Sequence, residues 1–145
     1  MTLNIGDTAP PFSGTVHGTN DTFTLQDYQG DFVVLAFSGL TWCVPCQFEA
    51  PILQDLWEEF KTGCYLPHIQ FVMIHGTFSD SSFDEELAKL PAAISQYGIT
   101  FPVIADNSIW DLYEISSVKT MLERAGREPT AFDKDRMSAP AGSVK

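Results

Sequence analysis

Three cysteines stand in 145 residues, and two of them are spaced Cys43-Val44-Pro45-Cys46. Thiols three positions apart on a helical turn can close a disulfide and open it again. The pair follows Phe32-Val33-Val34-Leu35-Ala36-Phe37, an apolar run rich in β-branched and aromatic side chains. Such a run reads as a strand buried on both faces in a parallel sheet. The pair precedes Gln47 to Lys61, where Phe48, Ile52, Leu53, Leu56, Trp57 and Phe60 recur every three or four residues, the pattern of an amphipathic helix. Cys43 therefore falls at a helix N-terminus, where free N–H groups and the positive dipole end favour a thiolate. Pro45 suits the first turn, whose N–H groups have no helical partner anyway. In this arrangement the Cys43 thiolate attacks a partner disulfide and Cys46, partly covered, resolves the mixed disulfide.

Two blander readings compete. The thiols could be buried and inert, but a surface-facing proline turn is a poor place to bury two of them. Cys43, Cys46, Cys64 and His68 also approach a zinc-site spacing. Against that, the intervening helix, kinked at Pro51, carries Cys64 about 20 Å from Cys46, and a chain with this apolar content needs no metal staple. No metal or other cofactor is expected, and Cys64 reads as a lone packing thiol in a loop.

The remaining elements must hold this corner in place. Apolar stretches at Phe12 to Val16 and Phe23 to Leu25 fit a small hairpin, with a turn at Gln29-Gly30-Asp31. Ile69 to Ile74 reads as a second buried strand. Ser79 to Ser82 supply caps for a helix from Phe83 to Tyr97. Phe101 to Ile104 is a third strand, and a short helix follows at Ile109 to Ile115. Strands alternating with helices imply an α/β layer fold with crossover connections. Residues 1–136 form one domain, and 137–145, with Pro140, Ala141 and Gly142, read as a disordered tail.

Eight basic against nineteen acidic residues give a net charge of −11, which excludes nucleic acid and anionic membranes as natural partners. No apolar run is long enough to span a bilayer. The start Met1-Thr2-Leu3-Asn4 has no signal-peptide pattern. It reads as cytoplasmic if Met1 is the native start, and as periplasmic or extracytoplasmic if a leader was trimmed.

These residues carry a family resemblance. The opening Gly6-Asp7-Thr8-Ala9-Pro10-Pro11-Phe12, the segment Leu25-Gln26-Asp27-Tyr28-Gln29-Gly30, the motif Trp42-Cys43-x-x-Cys46 and the stretch Phe101-Pro102-Val103-Ile104-Ala105-Asp106 resemble the TlpA/ResA-like thiol–disulfide oxidoreductases. That group lies within the thioredoxin-like superfamily and borders the AhpC/TSA peroxiredoxins. The resemblance implies a thioredoxin-like three-layer fold: a central sheet flanked by helices, with an N-terminal hairpin extension. Cys46-Gln47-Phe48-Glu49-Ala50-Pro51 resembles the group's C-x-x-E-x-P, which implies that Glu49 lies beneath the dithiol and moves its protons. Placed three residues after Cys46, a half-buried Glu49 would have a raised pKa. Glu128-Pro129-Thr130-Ala131-Phe132 resembles the substrate-facing cis-proline loop and strand, with about ten residues inserted ahead of it. In the alternative, Lys119 occupies the loop position and no cis-proline exists. Few residues follow Pro129, so the C-terminal elements are expected to be incomplete.

The function implied is exchange of electrons with protein disulfides or dithiols, with a donor or acceptor protein to reset the pair. Trp42, Glu128 and Pro129 are the expected substrate contacts; the bland reading of Trp42 is packing. A peroxidase would resemble Pro-x-x-x-Thr/Ser-x-x-Cys, and Thr41 with Val44 departs from that pattern. A thioredoxin-like scaffold without turnover is the third reading, and sulfurs too far apart to bond would favour it. His17, His68 and His75 read as isolated surface or strand-end residues, and the acidic run Asp80 to Glu86 as a helix start with a solvated face. The oligomeric state is not legible.

Overall fold

The computed structural model describes residues 3–63 and 69–115. Along them run β1 (Ser13–Thr15), β2 (Thr22–Thr24), a 3-10 turn (Leu25–Tyr28), β3 (Phe32–Ser38), α1 (Val44–Thr62), β4 (Ile69–His75), α2 (Asp80–Tyr97), β5 (Val103–Ala105) and α3 (Asn107–Leu112). β1 and β2 form the expected antiparallel hairpin. β3, β4 and β5 form a parallel sheet in that order. Parallel neighbours need crossovers, and α1 and α2 supply them.

Alternation along β4 divides the core. Phe71 and Met73 face one way, where they meet Ala50, Leu53 and Trp57 of α1 and Leu90 and Ala93 of α2. Val72 and Ile74 face the other way, toward Phe12 and Phe23 of the hairpin region and Ile109, Trp110 and Tyr113 near α3. The sheet is thus covered on both faces, and the fold is thioredoxin-like with its N-terminal hairpin. Each fully buried apolar side chain contributes about 1.5–3 kcal/mol.

Several details differ from the sequence expectation, among them the bounds of β5 and α3, which lie at Val103–Ala105 and Asn107–Leu112. β3 is not buried on both faces along its length: Phe32 is 75% exposed. Among the described strands β3 pairs on one side only, and only its far end, at Ser38, is fully covered. Pro51 lies within α1, which is continuously helical from Val44 to Thr62. Pro51 stands on the exposed side, where water can serve a carbonyl left without its N–H partner. The apolar surface of α1 is wider than its buried stripe, for Phe48, Ile52 and Leu56 are all exposed. Finally, α2 starts at Asp80 rather than Phe83; the Ser79 hydroxyl pairs with Ser81 Oγ at 2.7 Å, not with the helix N–H groups. Gly98 closes α2 in the left-handed region, at φ 67°.

Cys64, His68, Lys119, Glu128, Pro129, the expected C-terminal elements and the tail lie outside the described residues.

Candidate active site

The corner between β3 and α1 is a tight turn. The N–H groups of Trp42 and Cys43 both donate to the Gly39 oxygen, at 3.0 and 2.7 Å. The Gln47 side chain reaches back from α1 and donates through Nε2 to the Leu40 oxygen at 3.1 Å. Cys43 is the N-cap of α1, in extended conformation, with Pro45 in the first turn. Its Sγ accepts from the Cys46 N–H at 3.4 Å, so the sulfur fills the place an oxygen takes at most helix starts. Cys43 and Cys46 are joined by a disulfide, with Cα atoms 5.2 Å apart, an ordinary span for one. The geometric condition favouring a scaffold without redox turnover is therefore not met.

The sulfurs do not sit on an open surface turn. Cys43 is 2% and Cys46 4% exposed. The corner folds inward, with Leu40, Val44 and Ala50 buried around it.

Trp42 is partly buried and held from three sides. Its Nε1–H donates to the Gly76 oxygen at 2.9 Å. Its ring meets Phe78 edge-on, with centroids 4.9 Å apart, and lies 6.3 Å from the Trp110 ring. A Cβ on Gly39 would collide with the indole of Trp42. One on Gly76 would stand 2.7 Å from the indole of Trp110, whose own Nε1–H donates to the Ile74 oxygen at 2.8 Å. Packing therefore accounts for most of Trp42, while Phe78 beside it remains exposed.

Glu49 is exposed, not half-buried. Three residues turn a helix about 300°, so Glu49 is displaced from the line of Cys46. Ala50, four residues on, takes the inward position and is fully buried.

The inward polar groups are ones the sequence reading passed over. His75, read there as a surface or strand-end residue, ends β4 and is completely buried. Burial pushes its imidazole down to about 4. Ser38 is its register partner on β3 and is also buried. Glu86 does not belong to a solvated face: its carboxylate accepts from the Thr41 hydroxyl at 2.6 Å and from Lys89 at 3.1 Å. Burial would raise the Glu86 pKa, but those hydrogen bonds outweigh it and hold the carboxyl below its usual value. One signal was available for His75. A polar residue ends an otherwise apolar strand, and sites in open α/β sheets lie at the carboxyl ends of strands.

Among the described residues no three His, Cys, Asp or Glu side chains are grouped to hold a metal ion. No helix among them is long and apolar enough to cross a membrane.

The AhpC/TSA family model matches residues 5–135. The thiol-disulfide oxidoreductase ResA of Oceanobacillus iheyensis is 32% identical over 121 residues, covering 80% of this chain and 57% of that protein. The thioredoxin-like protein YneN of Bacillus subtilis is 32% identical over 102 residues, covering 70% and 53%. The chain thus spans little more than half the length of these relatives. A secreted Mycobacterium tuberculosis disulfide oxidoreductase homologous to E. coli DsbE superposes with a TM-score of 0.56 at 25% identity, covering 72% of this chain and 68% of that one. A DsbF homologue from Corynebacterium diphtheriae superposes with a TM-score of 0.58 at 24% identity, covering 81% and 71%.

Proposed function

The chain belongs to the AhpC/TSA family, and from that premise we propose that it is a thiol–disulfide oxidoreductase acting on protein disulfides through Cys43 and Cys46. The observation that carries this reading is the Cys43–Cys46 disulfide at the first turn of α1. In the reducing direction the Cys43 thiolate attacks a substrate disulfide, and one substrate sulfur leaves and takes a proton. Cys46 then gives up its proton and attacks Cys43 Sγ. The second substrate sulfur leaves, two electrons have passed to the substrate, and the Cys43–Cys46 bond has formed. Oxidation of a substrate dithiol is the same path reversed, and a partner protein of the opposite redox poise resets the pair.

Cys43 serves as nucleophile because the helix start stabilises its thiolate. Trp42, with exposed Phe78 against it, forms an apolar rim on which substrate can rest. Glu128 and Pro129 are substrate contacts on the strength of the sequence resemblance. On the strength of the sequence resemblance alone, Glu49, exposed on α1, is assigned to proton exchange with the dithiol.

Reduction of insulin disulfides with dithiothreitol as the electron source tests the assignment. The expected result is that the chain accelerates insulin precipitation and that Cys43→Ser abolishes the acceleration. Turnover that survives Cys43→Ser would sink the assignment.

A further inference from the structure

The turn that ends in Cys43 is fastened at three successive residues to three different parts of the fold. The Leu40 oxygen accepts from Gln47 Nε2 of α1 at 3.1 Å. The Trp42 Nε1–H donates to the Gly76 oxygen, just past β4, at 2.9 Å. Between them, the Thr41 hydroxyl donates to the Glu86 carboxylate of α2 at 2.6 Å. Of these three ties, the one at Thr41 alone ends on an ion. A hydrogen bond to a carboxylate is shorter and about twice as strong as one between neutral groups. This one joins residues 45 positions apart.

The carboxylate and the turn hold each other. The Glu86 side chain is only 12% exposed, an unfavourable place for a charge. Burial raises its pKa, and the hydrogen bonds from Thr41 first and Lys89 next more than reverse that, so the group is ionised. Lys89 is 54% exposed and is shared with Glu85 at 3.8 Å, which makes it a loose counter-ion. His75, at the end of β4, favours the anion least of these groups. Thr41 is the partner held in place by the fold.

The tie matters most when the disulfide is open. In the closed form the bond to Cys46 fixes Cys43 Sγ against α1. In the reduced form the sulfur keeps its seat through the backbone of the turn, two residues from Thr41. That seat stabilises a thiolate: Sγ faces the Cys46 N–H at the positive end of α1.

We propose that Glu86 is a positioning residue for the dithiol: through the Thr41 hydroxyl it holds the turn that seats the Cys43 thiolate at the start of α1. The proposal rests on the oxidoreductase reading above. The charge of Glu86 and its hydrogen bond act in opposite senses. An anion acting through space disfavours a nearby thiolate, whereas the anchor of Thr41 favours it. The sign of the effect therefore tells the two apart.

The pH dependence of Cys43 alkylation by iodoacetamide, read on the reduced full chain by mass spectrometry, tests this. Glu86→Ala moves the midpoint up by about one pH unit, which is about tenfold less thiolate at a given pH below it. Thr41→Val, nearly the same shape without the hydroxyl, gives the same rise. The double variant rises no further than either single variant, because both remove one bond. Glu86→Gln keeps an acceptor for the hydroxyl and recovers more than half of the shift. A midpoint that stays or falls in Glu86→Ala overturns the proposal, a fall being the mark of charge alone. Shifts that add in the double variant overturn it as well. Alkylation uses no protein substrate, so failure of insulin reduction would fault the protein-disulfide assignment without touching Glu86.

Discussion

The indole N–H of Trp42 donates to the Gly76 oxygen at 2.9 Å, and this bond ties the corner bearing the dithiol to the end of the neighbouring strand. Trp42→Phe keeps an aromatic ring and loses the bond. It lowers stability by about 1 kcal/mol in urea unfolding. Because the corner is then less fixed, insulin reduction slows several-fold. A variant with unchanged stability and rate would show that the bond does not hold the corner.

Gly39 lies under the same ring. Gly39→Ala places a methyl against the indole and destabilises by about 1–3 kcal/mol, with altered tryptophan fluorescence. Adding Trp42→Leu to Gly39→Ala restores part of the loss relative to the sum of the single variants, since the two residues share one space. Strict additivity in the double-mutant cycle would refute that coupling.

His75 gives the fold a pH dependence with a definite sign. Its pKa is lowered from 6.5 to about 4 by burial, so the unfolded chain binds a proton at a pH where the native chain does not. The contribution of the neutral ring is fully present above about 6.5 and is lost as pH falls from there toward about 4. It amounts to about 3 kcal/mol at full extent. Urea midpoints of the oxidised protein should fall across that window, and His75→Leu should remove most of the slope.

Cys43→Ser and Cys43→Ala separate chemistry from helix capping. Both abolish turnover and the disulfide. Serine retains an acceptor at the N-cap, and alanine does not, so the alanine variant is less stable than the serine variant by about 1 kcal/mol. Equal unfolding midpoints would mean that the 3.4 Å contact from the Cys46 N–H to Cys43 Sγ contributes nothing.

Glu49→Gln changes an exposed side chain and leaves stability within about 0.5 kcal/mol. If Glu49 carries protons between dithiol and solvent, the pH profile of insulin reduction flattens on its acid side. A profile identical to the parent removes Glu49 from the proton path.

Much of this architecture is legible in the chain. Continuous apolar runs locate β3 and β4, three-to-four spacing locates α1, serine cap candidates point to α2, and the strand–Cys43-x-x-Cys46–helix order locates the dithiol. What periodicity does not convey is which way a residue turns once packing is complete. Glu49 shares a helix with Cys46 yet faces outward, because Ala50 takes the inward position. Phe48, Ile52 and Leu56 are apolar and still exposed, since the buried stripe of α1 is narrower than its apolar surface. His75 and Glu86, apart in sequence and bland by composition, come close enough to interact electrostatically because the chain folds back between β4 and α2.

The two strand-end glycines carry a consequence for sequence variation. Gly39 leaves room for the indole of Trp42, and Gly76 leaves room for that of Trp110. Each glycine and its tryptophan are alternatives for one volume, so they should change together. In a chain of this fold where position 39 acquires a side chain, the ring at position 42 should shrink, and positions 76 and 110 should covary in the same manner.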